Sequence, residues 1–176
     1  MEAIFKQYGG DELEVFLELK SRITNLLIDQ IKDLENMSDH LGKIYMELIS
    51  KSKQKDTAQV FTPIHVAELM TGMTLNMNEF KEKAIVSIND PCVGAGVFMI
   101  AACKFLNSKK INYTSRLLIV CNDIDLICVY MTYVQLSFIG ASAVVEHKNT
   151  ITQEKWDEFR TLGVLLNPAM IKNFGH

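Results

Sequence analysis

Between Ala84 and Leu106 the chain passes from a short apolar run, Ala84-Ile85-Val86-Ser87-Ile88-Asn89, through Asp90-Pro91-Cys92-Val93-Gly94-Ala95-Gly96 into a second apolar run that starts at Val97. The first run has the length and β-branching of a buried strand, and the second has the length of a helix. Gly94 and Gly96 stand where the backbone must turn sharply, and they leave room for close approach of a ligand. The segment therefore predicts a strand, a tight turn and a helix packed back on the strand. The same rhythm recurs downstream. Leu117–Cys121, Ala143–Val145 and Gly163–Leu166 read as three more strands, and Asp125–Ile139 reads as a helix. Strands alternating with helices predict an α/β domain with a parallel sheet and crossover helices.

The front of the chain has a different period. Leu13, Phe16, Leu17, Ile23, Leu26, Leu27, Ile31 and Leu34 recur at helical spacing between Asp11 and Asn36. A second helix is predicted near Asp39 to Ser50. The basic stretch Lys51-Ser52-Lys53-Gln54-Lys55-Asp56 has no period and marks a boundary, giving an N-terminal helical segment over 1–55 and a domain over 56–176. Thr62-Pro63 predicts a further helix start, with a hydroxyl cap and a proline at the first helical position. Val66, Leu69, Met70 and Met73 would form its apolar stripe, and Met70, Met73 and Met77 read as core packing.

A chain of 176 residues with 48% apolar and 22% charged residues is long enough to build its own core. A net charge of -3 excludes a protein that coats nucleic acid by bulk phosphate neutralisation. It leaves room for a local basic surface, since residues 1–50 carry 10 acids and 5 bases. Cys92, Cys103, Cys121 and Cys128 have neither C-x-x-C spacing nor a histidine at finger distance, which argues against zinc and against a disulfide scaffold. They read as reduced thiols of a cytoplasmic protein. The N-terminus lacks a basic and then apolar leader, and no apolar run approaches the roughly 18 residues a membrane span needs. No membrane association is expected.

Candidate ligand-binding residues cluster at predicted strand ends. Asp90 closes the first strand before the glycines. A carboxylate there repels a pyrophosphate and suits a cation, and a dinucleotide fingerprint would carry a small residue where Met99 stands. Both features disfavour a nicotinamide cofactor. The acid suits S-adenosyl-L-methionine (SAM), which carries a sulfonium and an ammonium and no phosphate. Asp123 ends the second strand, where a carboxylate can accept both hydroxyls of a ribose. Asp125 reads instead as a negative charge at a helix start.

Three motifs in order carry a family resemblance: Gln59-Val60-Phe61-Thr62-Pro63, then Asp90-Pro91-Cys92-Val93-Gly94-Ala95-Gly96, then Asn122-Asp123-Ile124-Asp125. Together with Asp39-His40-Leu41-Gly42-Lys43-Ile44-Tyr45-Met46-Glu47-Leu48, the chain resembles the N6-adenine DNA methyltransferases. It is similar to the modification subunits of type I restriction systems and small relatives on mobile elements. The resemblance implies a Rossmann-like SAM-dependent methyltransferase fold with an incomplete parallel sheet and strand order 3-2-1-4. It also implies that Phe61, Thr62 and Pro63 line the methionine end of SAM and that Asp90 faces its amino group. Gly94 and Gly96 would form the floor, and Asp123 would hold the ribose. Asn149, standing where the family has an aspartate, would face the adenine.

The family's catalytic motif is Asn or Asp, Pro-Pro and an aromatic residue; here Asn167-Pro168-Ala169-Met170 stands in that place. The resemblance makes Asn167 and Pro168 the catalytic pair. The asparagine and a backbone carbonyl would accept the adenine amine protons, and the aromatic residue would stack on the flipped base. Ala169 and Met170 depart from that chemistry. Two functions therefore stand side by side: a DNA adenine-N6 methyltransferase, and a non-catalytic SAM-binding protein that acts through a partner subunit. The expected partners are DNA, directly or through that subunit, and a second copy or larger complex. The second copy is expected because a fourth strand over Gly163–Leu166 would leave an uncovered apolar edge.

Overall fold

The computed structural model describes residues 10–48 and 62–174. Helix α1 spans Gly10–Lys32, a 3-10 turn covers Leu34–Asn36, and helix α2 spans His40–Leu48. Helix α3 (Ile64–Thr74) and the short α4 (Glu79–Glu82) lead into strand β1 (Val86–Asp90). Helix α5 (Val97–Ser108) and the short α6 (Tyr113–Arg116) lead to β2 (Leu117–Asp123). Helix α7 (Leu126–Phe138), β3 (Ser142–Lys148), β4 (Lys155–Arg160), α8 (Leu162–Leu165) and α9 (Pro168–Phe174) follow. Among the described residues no helix is long and apolar enough to cross a membrane.

β1, β2 and β3 run parallel in that spatial order, with Asp90 opposite Cys121 and Asp123 opposite His147. Their apolar positions meet the inner face of α5 and α7: Ile100, Cys103, Leu106, Ile119, Cys121, Val129, Leu136 and Val145 form one buried cluster. Burial on both faces explains why β2 reads as a continuous apolar run rather than as an alternation. Three of the four cysteines are buried, and Cys92 is exposed in the turn after β1.

The fourth strand corrects the sequence reading. Residues 163–166, expected as a strand, lie in or just after the helical turn α8. The fourth strand is Lys155–Arg160, and it pairs antiparallel with β3. The sheet order is therefore β1-β2-β3-β4, with the fourth strand beside the third rather than the first. Lys155-Trp156-Asp157-Glu158-Phe159-Arg160 is charged at four of its six positions, so it reads as solvated sequence. Its charges are instead used locally: Lys155 pairs with Glu146 at 2.8 Å across the ladder, and Arg160 pairs with Glu158. Thr161 then turns the chain off the sheet. Its hydroxyl donates to Ala141 O at 2.7 Å and accepts from Ala143 N at 2.9 Å. Gly163 passes so close to β3 that a Cβ would stand 2.7 Å from Ser142 Oγ. Val164 and Met170 pack on Leu118 and Val144, on the sheet face away from α5 and α7. With 163–166 off the sheet edge, the edge argument for a second copy loses its strand.

Helix α3 also differs from expectation. Pro63 is its N-cap, with extended backbone and no side-chain cap bond, so Thr62 does not cap it. Its apolar stripe faces outward: Val66, Leu69, Met70 and Met73 are exposed. The buried side is made by Ala67 and Thr71, small residues that let α3 approach α5 through Val97 and Ala101. Close helix packing here needed small volume rather than greasy side chains. In α1, Phe16 and Leu17 are likewise exposed, and Leu27 is the side chain it buries most deeply.

Candidate cofactor site

The carboxyl ends of β1 and β2 bring the two predicted acids together. Asp90 ends β1 and Asp123 ends β2, on neighbouring strands. Burial raises the Asp90 carboxyl above its ordinary range, and the nearby Asp123 charge raises it further, while its bond from Cys92 N at 3.1 Å pulls the other way. Two acids so placed favour a positively charged group between or above them.

Between the strands the chain turns through Gly94 at φ +57° and Gly96 at φ +93°, both in the left-handed region that glycine enters freely. The turn is held from three sides. Gly94 N donates to Asp123 Oδ2 at 2.9 Å, and Val93 N donates to Asn122 O at 3.0 Å. Thr132 Oγ1 on α7 donates to Gly94 O at 2.8 Å. A Cβ on Gly96 would stand 3.1 Å from that Thr132 oxygen, so the close approach Gly96 permits is to α7.

Asp123 is more than a ligand candidate, because its Oδ1 also accepts Asp125 N at 2.9 Å. Each oxygen keeps a lone pair for a ribose hydroxyl. Asp125 caps α7 through Ile127 N at 2.9 Å, as its position at a helix start predicts. Asn149 is committed locally: its Oδ1 accepts Ile151 N at 2.9 Å and Thr152 N at 3.1 Å in the turn between β3 and β4.

Two residues that sequence reading passed over tie this region together. Asn122 Nδ2 donates to Pro91 O at 2.9 Å and to Thr150 Oγ1 at 2.7 Å, and the Thr150 hydroxyl itself bonds Pro91 O. The two side chains lock the exit of β1 to the ends of β2 and β3. A polar residue inside the apolar strand Leu117–Cys121-Asn122 was the one signal available for this role.

Thr62 and Pro63 line a cavity of about 400 Å³ with Asp39, Lys43 and Glu47, at the start of α3. Ile64 packs beside Val97, the residue after Gly96, so this helix start adjoins the glycine turn. Phe61 lies outside the described residues. A second cavity, of about 360 Å³, opens at Asp90 and is lined by Met70, Thr71, Ile88, Asn89, Phe98 and Met99.

Asn167 and Pro168 are not brought to this site. Asn167 Oδ1 accepts Ala169 N at 3.1 Å, and Pro168 is the first residue of α9. Their helix packs through Met170 on Leu118 and Val144, in the amino-terminal halves of β2 and β3, whereas Asp90 and Asp123 end their strands. Among known protein families, the description N-6 DNA methylase matches residues 36–173. The chain belongs to the N-6 DNA methylase family. Among curated proteins none matches it. The family match spans α2, the sheet and most of α9, so it covers both cavities and the acid pair.

Proposed function

We propose that this N-6 DNA methylase chain binds SAM at the carboxyl ends of β1 and β2. The observation that carries the reading is the pair Asp90 and Asp123 flanking a glycine turn held in left-handed conformation. A cationic cofactor without phosphates suits this pair, because it relieves the cost of two neighbouring half-buried carboxylates. Asp90 would face the amino group, Gly94 and Gly96 would form the floor, and Asp123 would accept the ribose hydroxyls. Thr62, Pro63 and Phe61 would close the methionine end. Asn149 has its side-chain oxygen engaged in its own turn, so its amide N–H group is what remains for the adenine.

SAM supplies a methyl group on a sulfonium, and in N6-adenine methylation the substrate is an adenine of DNA. The residues of this chain bind and orient the donor. The role of Asn167 and Pro168 as the pair that activates the adenine amine finds no support in their helix-capping geometry. That observation favours the second reading, in which the chain holds the cofactor and a partner subunit supplies the rest of the base-modifying site.

Titration calorimetry tests the first reading. SAM should bind and NADH should not; binding of NADH in place of SAM would overturn the methylase cofactor assignment. Tritiated-methyl transfer to duplex DNA, with and without cell extract, separates the two functions. Transfer by the purified chain alone supports a self-sufficient enzyme, and transfer only with extract supports the partner reading.

A further inference from the structure

We propose that Gln135 is a positioning residue that makes docking of α2 and binding at the glycine turn one coupled event. The proposal rests on the SAM reading above for its ligand. Gln135 is fully buried on α7. A primary amide has two N–H donors and an oxygen with two lone pairs, and all four are used. Its Oε1 accepts His40 N at 2.9 Å and Leu41 N at 3.1 Å. Its Nε2 donates to Asp39 Oδ1 at 2.8 Å and to Ala95 O at 2.8 Å. Asp39 in turn accepts Gly42 N at 2.7 Å. The first three backbone donors of α2, which no helical turn satisfies, therefore end on Gln135 or on its partner Asp39. The remaining hydrogen of the same amide holds the middle carbonyl of Gly94-Ala95-Gly96.

Helix α2 has 9 residues, too few to be stable alone in water. Its contacts with the rest of the fold return to the same place: Leu41 and Tyr45 pack on Ala95, Cys128 and Met131. Ala95 thus supports α2 by packing and by a hydrogen bond relayed through Gln135. Undocking α2 would leave both lone pairs of a buried amide oxygen and the Asp39 carboxylate short of partners, so the contacts are lost together rather than one by one. A ligand that fixes the turn fixes Ala95, and by linkage whatever strengthens α2 docking strengthens ligand binding equally. Thr132 provides the contrast. It stands one turn earlier on α7 and grips Gly94 O at 2.8 Å, and its hydroxyl has no bond to α2.

Hydrogen exchange on the full chain tests this with SAM as the probe. In the unaltered protein SAM should slow exchange across 40–48 as well as across 92–98; slowing confined to 92–98 overturns the coupling without any variant. Gln135→Met keeps the side-chain length and removes all four bonds. Without SAM it should speed exchange about tenfold in both segments, the scale of one buried hydrogen bond, and it should abolish the SAM effect at 40–48. Thr132→Val should speed 92–98 alone. Equal loosening of both segments by both variants, or an unchanged 40–48 in Gln135→Met, overturns the proposal. Failure of SAM to bind the unaltered chain would remove the cofactor reading, and the comparison of the free proteins would still decide whether Gln135 joins the two segments.

Discussion

Asp123 at the end of β2 and Gly94 in the turn after β1 are joined: the Gly94 amide donates to Asp123 Oδ2 at 2.9 Å, while Asp123 Oδ1 receives the amide of Asp125. The carboxylate thereby shapes the turn it is proposed to share with the ribose. Removing it should loosen the site before any ligand arrives. Asp123→Ala should lower stability and SAM affinity by roughly 1–3 kcal/mol each, the scale for a partly buried, charge-assisted hydrogen bond. Asp123→Asn should be little better, because its amide N–H group would point at one of two backbone donors. Thermal unfolding and calorimetry read both effects. Unchanged SAM binding in Asp123→Ala removes Asp123 from the site.

The Asp90 carboxyl gives a pH signature. Its ordinary value is 3.8, and burial first and then the Asp123 charge raise it in the fold. Between the raised value and the ordinary one the folded chain binds more proton than the unfolded chain, so this group adds stability as pH falls. Asp90→Asn should therefore be more stable than the unaltered protein at neutral pH. That advantage should shrink as pH falls below the raised value and vanish only below the ordinary 3.8, where Asp90 is neutral in both the folded and the unfolded chain. SAM binding should show the opposite dependence, weakening as Asp90 loses its charge. Denaturant midpoints and calorimetry from neutral pH down to about 3 cover the window, since unperturbed carboxyls titrate near about 4. A constant stability difference between the two proteins would contradict the raised value.

Gly42 stands on an exceptional spot in α2. A Cβ there would lie 2.1 Å from Asp39 Oδ2 and 2.7 Å from Asp39 Cγ. Glycine to alanine in a helix ordinarily stabilises by up to about 1 kcal/mol. Here Gly42→Ala should instead destabilise by about 1–3 kcal/mol, the usual cost of forcing volume into a packed site. It should also push Asp39 off its bonds to Gly42 and Gln135. A raised melting temperature in Gly42→Ala would mean that Asp39 moves aside freely.

The parallel half of the sheet was legible because its strands are buried on both faces, which leaves continuous apolar runs such as Leu117–Cys121. The acids at strand ends and the glycine turn were legible because polarity and glycine interrupt those runs at fixed places. β4 was not, since an antiparallel edge strand carrying Lys155, Asp157 and Glu158 has the composition of a surface loop. The outward stripe of α3 misled because Val66, Leu69 and Met70 look like a core face, whereas the packed face uses Ala67. Gln135 gave no periodic signal at all. Its role depends on partners at Asp39 and Ala95, both distant in sequence.

Asn167 separates the two functional readings most sharply. As the residue whose Oδ1 accepts Ala169 N ahead of Pro168, it serves as a helix cap, and Asn167→Ala should cost about 1 kcal/mol of stability for that reason alone. Because its helix packs on Leu118 and Val144 rather than beside Asp90 and Asp123, SAM affinity should be unchanged in the variant. Asn167→Asp and Asn167→Ser keep an oxygen for the cap and should restore stability. If the purified chain methylates DNA, the three variants decide the residue's role. Asn167→Ser retains the cap but loses the amide group that would engage an adenine amine. Loss of methyl transfer in Asn167→Ser at unaltered stability would put Asn167 at the reacting base and overturn its assignment as a cap alone. Transfer that follows stability across all three would leave the chemistry to other residues.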